Sequence, residues 1–250
     1  MRLFSRVEYD GTNFSGWQVQ PDKISVQGEL QNAISRIVGE QICIVGAGRT
    51  DAGVHARNQG IHFDVPDNIF DKFPDIDKFS YRINSLLPQT IAVFGMRKVS
   101  DDFHARFSAV ERTYHYYISL KKNPLSANNT VFFGYKLDLD KMQTELNSII
   151  GRHSFESLCS SNNQLKNFFC TINFADIVKI NDDFFYIKIS ANRFLYNMVR
   201  TLTGTLLNIS RGKTDMRLLE IVSLKNRNLA GATAPAKGLV LEDVKYNDFL

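Results

Sequence analysis

The clearest helical pattern in the sequence is the stretch Ser25-Val-Gln-Gly-Glu-Leu-Gln-Asn-Ala-Ile-Ser-Arg-Ile-Val-Gly39. Its apolar residues recur at i, i+4, i+7, i+8, i+11 and i+12, which is the spacing of one face of an α-helix. Ser25 is a typical N-cap, and Gly39 follows the last apolar residue, where helices commonly end. The stretch therefore predicts a helix with one buried face and two ends that the sequence marks.

Strand-like and helix-like segments alternate on both sides of this helix. In the first half of the chain we predict strands at 3–10, 41–46, 59–65 and 90–99, and a second helix at 75–87 that ends before Pro88. In the second half we predict strands at 103–120, at 168–190 with a turn at Asn181-Asp182-Asp183, and at 239–246, with helices at 138–150, 193–209 and 214–225.

Each half of the chain thus reads roughly as β-α-β-β-α-β, with one additional short helix in the second half. We predict an α+β protein of two ferredoxin-like or RRM-like units, residues 1–105 and 106–250. Their sheets would be joined, with the helices on one side and an active-site cleft between the units.

The composition is that of a folded globular chain. Of 250 residues, 44% are hydrophobic, 12% are aromatic and 22% are charged, which is atypical of a disordered protein. No apolar run is long enough for a membrane helix, and Arg2 and Arg6 interrupt any secretory signal, so we expect a cytoplasmic protein. Cys43, Cys159 and Cys170 lack disulfide or zinc-site spacing, and we predict that they are small buried apolar residues.

Positive charge is concentrated in the second half of the chain. The formal net charge is +4. The segment 193–227 holds seven basic residues and only two acidic ones, Asp215 and Glu220. Such a segment suits a polyanion that carries phosphate groups, although a solvated basic surface would have the same composition. We predict that the segment contributes to binding a polyanion.

An unusual glycine-rich stretch surrounds a single carboxylate: Gly46-Ala-Gly48-Arg49-Thr-Asp51-Ala-Gly53. It lacks the third glycine of a dinucleotide loop and the Gly-Lys-Ser/Thr of a phosphate loop. In a tight turn Asp51 would accept hydrogen bonds from its own backbone. On a rigid exposed loop it would instead be available as a nucleophile or base.

Two further segments combine aromatic rings with arginines. In an extended strand Tyr114 and Tyr116 share one face, where they either pack in the core or stack on unpaired bases. In the predicted helix 193–209, Arg193 and Arg200 are close to two turns apart and would point the same way. No histidine pair or Gly-x-Ser-x-Gly elbow is present, so neither metal nor serine-nucleophile chemistry is expected.

Several motifs occur in the order of a known family. They are Tyr9-Asp-Gly-Thr12 with Phe14-Ser-Gly-Trp-Gln18, Gly48-Arg-Thr-Asp-Ala-Gly-Val-His-Ala56, Phe103-His-Ala-Arg-Phe-Ser-Ala109, Arg112-Thr-Tyr-His-Tyr116, Phe194-Leu-Tyr-Asn-Met-Val-Arg200 and Gly238-Leu239. The sequence resembles the TruA family of tRNA pseudouridine synthases over nearly its whole length. The resemblance implies isomerisation of uridine to pseudouridine in the anticodon stem-loop of tRNA (family positions 38–40). It also implies a homodimer that needs no metal or organic cofactor.

The resemblance also implies roles for individual residues. Asp51 matches the catalytic aspartate, and Tyr114 would stack on the target uracil and assist removal of its C5 proton. Arg200 would pair with Asp51 and keep it ionised. Arg49 would contact the RNA or hold the target nucleotide out of its stack, and Leu239 would line the uracil pocket. Attack by Asp51 at C1′ or at C6 remains open.

Two other classes of function are alternatives. A non-catalytic RNA-binding module of RRM-like architecture would use the same tyrosines and basic segment without any reaction. A small-molecule glycosidase using Asp51 would need a second carboxylate nearby as general acid. The nearest in sequence are Glu40 and Asp64, outside the glycine-rich stretch.

Overall fold

A computed structural model describes residues 1–73, 75–160 and 167–247 of the chain. The chain divides into two compact units: the first is Met1–Val110 together with the residues from Leu241 onward, and the second is Glu111–Val240. The predicted boundary at residue 105 lies close to the first of these two division points. The prediction differs in one respect, because it assigned the last strand to the second unit.

The secondary structure is mixed α and β. The strands are β1 Arg2–Tyr9, β2 Ile44–Gly46, β3 His55–Asp64, β4 Ile91–Val99, β5 Ala109–Ser119, β6 Val131–Phe132, β7 Gly151–Ser154, β8 Phe169–Asn181, β9 Phe184–Ala191 and β10 Leu239–Tyr246. The helices are α1 Val26–Val38, α2 Ile69–Lys72, α3 Ile76–Asn84, α4 Leu139–Asn147, α5 Met198–Ser210 and α6 Leu218–Ser223. The predicted α+β class is confirmed.

The sheet of the first unit is largely antiparallel. Strand β1 lies between β4 and β3. The short strand β2 pairs with β3 in antiparallel register. The residues of β10 from Leu241 onward also lie beside β3. Three hydrogen bonds secure them there: Arg6 donates to the Val244 carbonyl (2.7 Å), Asn58 to the Asp243 carboxylate (2.6 Å) and the Tyr246 hydroxyl to the Ala105 carbonyl (2.8 Å). These contacts explain why the last strand belongs to the first unit from Leu241 onward.

Helix α1 forms as the sequence predicts. The Ser25 side chain accepts a hydrogen bond from the Gly28 amide, and Gly39 ends the helix with a left-handed φ of 91°. Leu30 and Ile34 are fully buried on its inner face. The one-sided apolar pattern is thus matched by a one-sided packing surface.

The second unit contains the strands β7, β8, β9 and β5 in that order, all antiparallel, with short β6 running parallel to β5. The predicted turn at Asn181-Asp182-Asp183 joins β8 to β9. Tyr116 and Phe185 are among the fully buried side chains of the second unit. Within the described ranges, no helix combines the length and the hydrophobicity that crossing a bilayer requires.

Several predicted boundaries are wrong. The helix predicted at 193–209 begins only at Met198, because Asn197 adopts a left-handed φ of 61°. Arg193 therefore precedes the helix and does not share a helix face with Arg200. The helix predicted from Thr214 begins at Leu218, since the Thr214 hydroxyl accepts from the Met216 amide in a local turn.

Two other predictions need correction. The strand predicted at 103–120 begins at Ala109, because the preceding residues form a hydrogen-bonded turn in which the Ser108 amide donates to the His104 carbonyl (2.8 Å). Cys43 is exposed, whereas Cys159 and Cys170 are buried as expected. Burial raises the pKa of the Cys170 thiol to about 11, so this thiol stays protonated at neutral pH.

Candidate active site

The predicted site residues occur in both units. Asp51 and Arg49 lie in the first unit, and Tyr114, Arg200 and Leu239 lie in the second.

Asp51 lies on a loop between β2 and β3 that is hydrogen-bonded at several points. The Ala47 amide donates to the Gly60 carbonyl (2.8 Å), and the Gln59 side chain donates to the Gly48 carbonyl (2.9 Å). The Val54 amide donates to the backbone carbonyl of Asp51 (3.1 Å), which closes a turn. Asp51 is half-buried at this turn. The backbone of the loop is thus fixed on both sides of the carboxylate.

A second loop, residues 10–17, supports the Asp51 loop from the end of β1. The Trp17 amide donates to the Thr50 carbonyl (3.0 Å), and the hydroxyls of Tyr9 and Thr50 form a buried hydrogen bond of 2.7 Å. Gly16 has a φ of 93°, and a Cβ atom there would lie 2.6 Å from the Thr50 carbonyl oxygen. Only glycine allows this approach. The two loops therefore pack backbone against backbone next to the catalytic candidate.

His55 links the same two loops. It is buried, and its Nδ1 atom lies 3.1 Å from the Gly11 amide nitrogen and 3.1 Å from the Asp10 carboxylate. Nδ1 accepts the hydrogen bond from the Gly11 amide. Partial burial acts to raise the pKa of Asp10, but hydrogen bonds from Thr12 and the proximity of His55 outweigh it and hold that pKa below its usual value.

Arg49 projects from the Asp51 loop as an exposed side chain. Exposure leaves a guanidinium group accessible to a phosphate or a base. The position is compatible with the predicted contact to RNA.

The tyrosines of β5 differ in burial. Tyr116 is fully buried, its hydroxyl donates to the Pro235 carbonyl (2.8 Å), and burial raises the pKa of that hydroxyl. Tyr114 is half-buried and contacts Phe194 edge to face, with 5.2 Å between ring centroids. Tyr116 is thus a packing residue, and Tyr114 keeps part of its surface accessible.

Arg200 lies in the first turn of α5 and is held from two sides. Its Nε donates to the Ala234 carbonyl (2.8 Å), and its Nη1 donates to the Asn197 side-chain oxygen (2.8 Å). Asn197 in turn donates to the Ser160 hydroxyl (2.8 Å). The left-handed backbone of Asn197 directs its amide to both partners, and asparagine tolerates this conformation better than most residues. The guanidinium direction is therefore fixed within the second unit.

Leu239 is buried at the start of β10. The glycine before it, Gly238, packs against the ring of Tyr116: a Cβ atom at Gly238 would lie 2.9 Å from that ring. Gly238 and Leu239 thus closely follow Pro235, whose carbonyl accepts the hydrogen bond from the Tyr116 hydroxyl.

The basic segment 193–227 contains side chains with different surroundings. Arg217 donates to the buried carboxylate of Glu145, which also accepts from the Leu218 amide (2.7 Å). Arg211 lies 3.7 Å from the ring centroid of the exposed Tyr135. Arg217 therefore has a structural partner, whereas Arg211 forms a cation–π contact at the surface.

No metal cluster emerges from the described residues. Across residues 1–73, 75–160 and 167–247, no three His, Cys, Asp or Glu side chains are grouped as metal ligands would be.

Sequence reasoning did not find the residues that support Asp51 and Arg200. Tyr9 and Thr50 belong to the family motifs, but their hydroxyl contact joins positions far apart in the chain. Asn197 lies inside the predicted helix 193–209, and nothing in the sequence marks Ser160. The only local signal was the asparagine at a helix start, a residue that commonly adopts left-handed backbone or caps a helix.

Comparison with known proteins identifies the family. The sequence profile of a family described as tRNA pseudouridine synthase matches residues 6–108 and 146–247. The chain belongs to the tRNA pseudouridine synthase family. The predicted resemblance and the predicted enzyme class are thereby confirmed.

Relatives in this family span the whole chain. The tRNA pseudouridine synthase A of Brevibacillus brevis is 41% identical, covering 98% of this chain and 99% of the relative. That of Bacillus subtilis is 38% identical, covering 99% and 100%. Among solved structures, a Cbf5-Nop10-Gar1 complex matches 82% of this chain and 54% of its own, with 8% identity and a TM-score of 0.36.

Proposed function

We propose that this member of the tRNA pseudouridine synthase family isomerises uridine to pseudouridine in the anticodon stem-loop of tRNA, with Asp51 as the catalytic carboxylate. The observation that carries the proposal is the Asp51 loop, which holds one half-buried carboxylate between two hydrogen-bonded segments of backbone. A carboxylate held in a fixed position can attack the substrate as a nucleophile and later depart as a leaving group.

The reaction breaks the bond between uracil N1 and ribose C1′ and forms a bond between C5 and C1′. The C5 proton is lost to solvent, and N1 gains a proton. One carboxylate suffices because uracil departs as a resonance-stabilised anion, unlike the leaving group of most glycosides. Attack by Asp51 at C1′ and attack at C6 both satisfy this balance.

The other site residues have proposed roles that follow the family motifs. Tyr114 stacks on the target uracil and assists removal of the C5 proton, which its partial exposure on β5 supports. Arg200 keeps the catalytic carboxylate ionised, which the two-sided fixation of its guanidinium supports. Arg49 contacts the RNA, and Leu239 lines the uracil pocket.

Coarser features of the assembly are part of the same proposal. The strand order β4, β1, β3, β2 in the first unit supports a ferredoxin-like description of that unit. We also propose that the enzyme is a cytoplasmic homodimer and that it requires no cofactor.

The proposal is tested with unmodified tRNA carrying tritium at uracil C5. Wild type should release tritium to water, whereas Asp51→Ala and Asp51→Asn should bind tRNA and release none. Asp71→Ala, which removes an exposed carboxylate on α2, serves as the control and should retain full activity. Release by Asp51→Ala at the wild-type rate would refute the catalytic role. Tight binding without release by wild type would favour a non-catalytic RNA-binding module.

A further inference from the structure

The turn between β4 and β5 is unusually well ordered by its own hydrogen bonds. The Ser108 amide donates to the His104 carbonyl (2.8 Å), and the His104 amide donates to the Ser108 hydroxyl (3.0 Å). The amides of Arg106 and Phe107 both donate to the Nδ1 atom of His104, at 3.2 and 3.3 Å. This turn presents its side chains on a fixed backbone.

Phe107 is presented to solvent by this turn. Its side chain is 77% exposed, whereas Phe103 in the same segment is 5% exposed. The phenyl ring lies on the His104 imidazole, with 4.4 Å between centroids and 34° between planes. The Arg106 guanidinium lies 5.6 Å from the phenyl centroid. An aromatic ring this exposed contributes little to the core of the unit.

The ring contacts continue into the interior of the first unit. His104 lies 4.9 Å from His62, which is buried and accepts a hydrogen bond from the Ala105 amide at its own Nδ1 (3.0 Å). Burial lowers the pKa of both imidazoles, so both rings are neutral at neutral pH. Phe107 is therefore the outermost of three neutral rings in contact, and the His104 ring beneath it contacts buried His62 at 58° between planes.

We propose that Phe107, supported by His104 and flanked by Arg106, is a stacking platform for an unpaired base of the tRNA substrate. An exposed aromatic ring beside an arginine is the arrangement that proteins use to stack an unpaired base and hold its phosphate. The inference rests on the proposed function, because it takes tRNA as the substrate.

The platform and the catalytic candidate lie at different positions along β3. Strand β3 begins at His55, next to the Asp51 loop, and reaches His62 at the platform. His55 and His62 are seven residues apart, which is roughly 20 Å along the strand at about 3.3 Å per residue. We accordingly take the base that stacks on Phe107 to be a nucleotide other than the target uracil. The platform strengthens tRNA binding and leaves the chemical step unaffected.

The test compares tRNA affinity and single-turnover tritium release among variants of the whole protein. Phe107→Ala should raise the Kd for tRNA roughly five- to a hundredfold, the range for losing one stacked base, with an unchanged rate at saturating enzyme. Phe107→Trp should bind at least as well as wild type. Phe107→Leu, which keeps apolar surface without a π-face, should bind nearly as weakly as alanine. Tyr81→Ala is the matched control, because Tyr81 is also 77% exposed in the same unit, and it should be unchanged.

Three results would overturn the platform. They are a Kd for Phe107→Ala within twofold of wild type, a Phe107→Leu variant with wild-type affinity, and a Phe107→Ala variant that sediments as a smaller species than wild type. The last result would assign the ring to a contact between copies of the chain. Wild type that binds tRNA but releases no tritium would overturn the proposed function alone, since the affinity comparison would still test Phe107.

Discussion

Replacing Asn197 tests whether the fixed direction of Arg200 matters for turnover. Asn197→Ala removes the acceptor for the Arg200 guanidinium and the donor to Ser160. A hydrogen bond to a charged group contributes about 1.5–3 kcal/mol. Alanine also adopts the left-handed backbone of this position, where φ is 61°, at a cost of about 1–2 kcal/mol. The free energy of unfolding should therefore fall by about 2.5–5 kcal/mol.

Two further variants separate the side chain from the backbone. Asn197→Gly loses the same hydrogen bonds but adopts the left-handed conformation freely, so it should be about 1 kcal/mol more stable than Asn197→Ala. Asn197→Asp keeps the acceptor for Arg200 and loses only the donor to Ser160. If guanidinium direction governs the reaction, alanine and glycine should slow turnover alike, by about tenfold or more, and aspartate should stay near wild type.

The assays are urea unfolding for stability and single-turnover tritium release for chemistry. Single-turnover conditions with saturating enzyme remove effects on tRNA affinity. Wild-type rates for both Asn197→Gly and Asn197→Ala would refute the reasoning, because they would mean that the Ala234 carbonyl alone holds Arg200.

Three further outcomes are expected. Tyr9→Phe leaves the buried Thr50 hydroxyl without its partner and should lower the free energy of unfolding by about 1–3 kcal/mol, which a urea titration would measure; an unchanged midpoint would contradict this. Burial, aided by nearby Arg2, lowers the pKa of His62 from 6.5 to about 4. Between about pH 6.5 and pH 4, His62 is protonated in the unfolded state but neutral in the folded state. The free energy of unfolding should therefore fall by at most about 3 kcal/mol as the pH is lowered from about 6.5 to about 4. His62→Gln should make the free energy of unfolding less dependent on pH over this range. Changing Arg211 and Lys213 together to Gln should make the slope of log Kd for tRNA against log salt shallower by about 1–2, and an unchanged slope would exclude both from the RNA contact.

Local signals in the sequence predicted the elements whose ends are set locally. Helix α1 has its periodicity, its N-cap Ser25 and its terminal Gly39 within one stretch, and it forms there. Helix α5 was predicted to begin too early, because Leu195 continues the apolar spacing beyond the true start. The left-handed backbone of Asn197 depends on partners elsewhere in the fold, and no local pattern reports it.

The candidate site shows the same division between local and long-range information. The Asp51 loop stood out because three glycines surround a single carboxylate. Its support by Tyr9 and Gly16 could not be predicted, because contacts between residues so distant in the chain exist only after β1 and β3 pair. The family motifs identify the positions of the candidate residues. The contacts that Tyr9 and Gly16 make with the Asp51 loop are seen only in the folded structure.

The position of β10 has a consequence for biosynthesis. The first unit completes its sheet along β3 with residues from Leu241 onward, after the chain has passed through the entire second unit, Glu111–Val240. At about 5–20 residues per second, a ribosome needs on the order of ten seconds to make that intervening stretch. During this interval β10 is missing from the edge of β3, where β2 pairs with residues 61–63, and such a partly unpaired edge invites pairing with another chain. Premature termination before residue 241 would make that exposure permanent, so truncated products should be aggregation-prone.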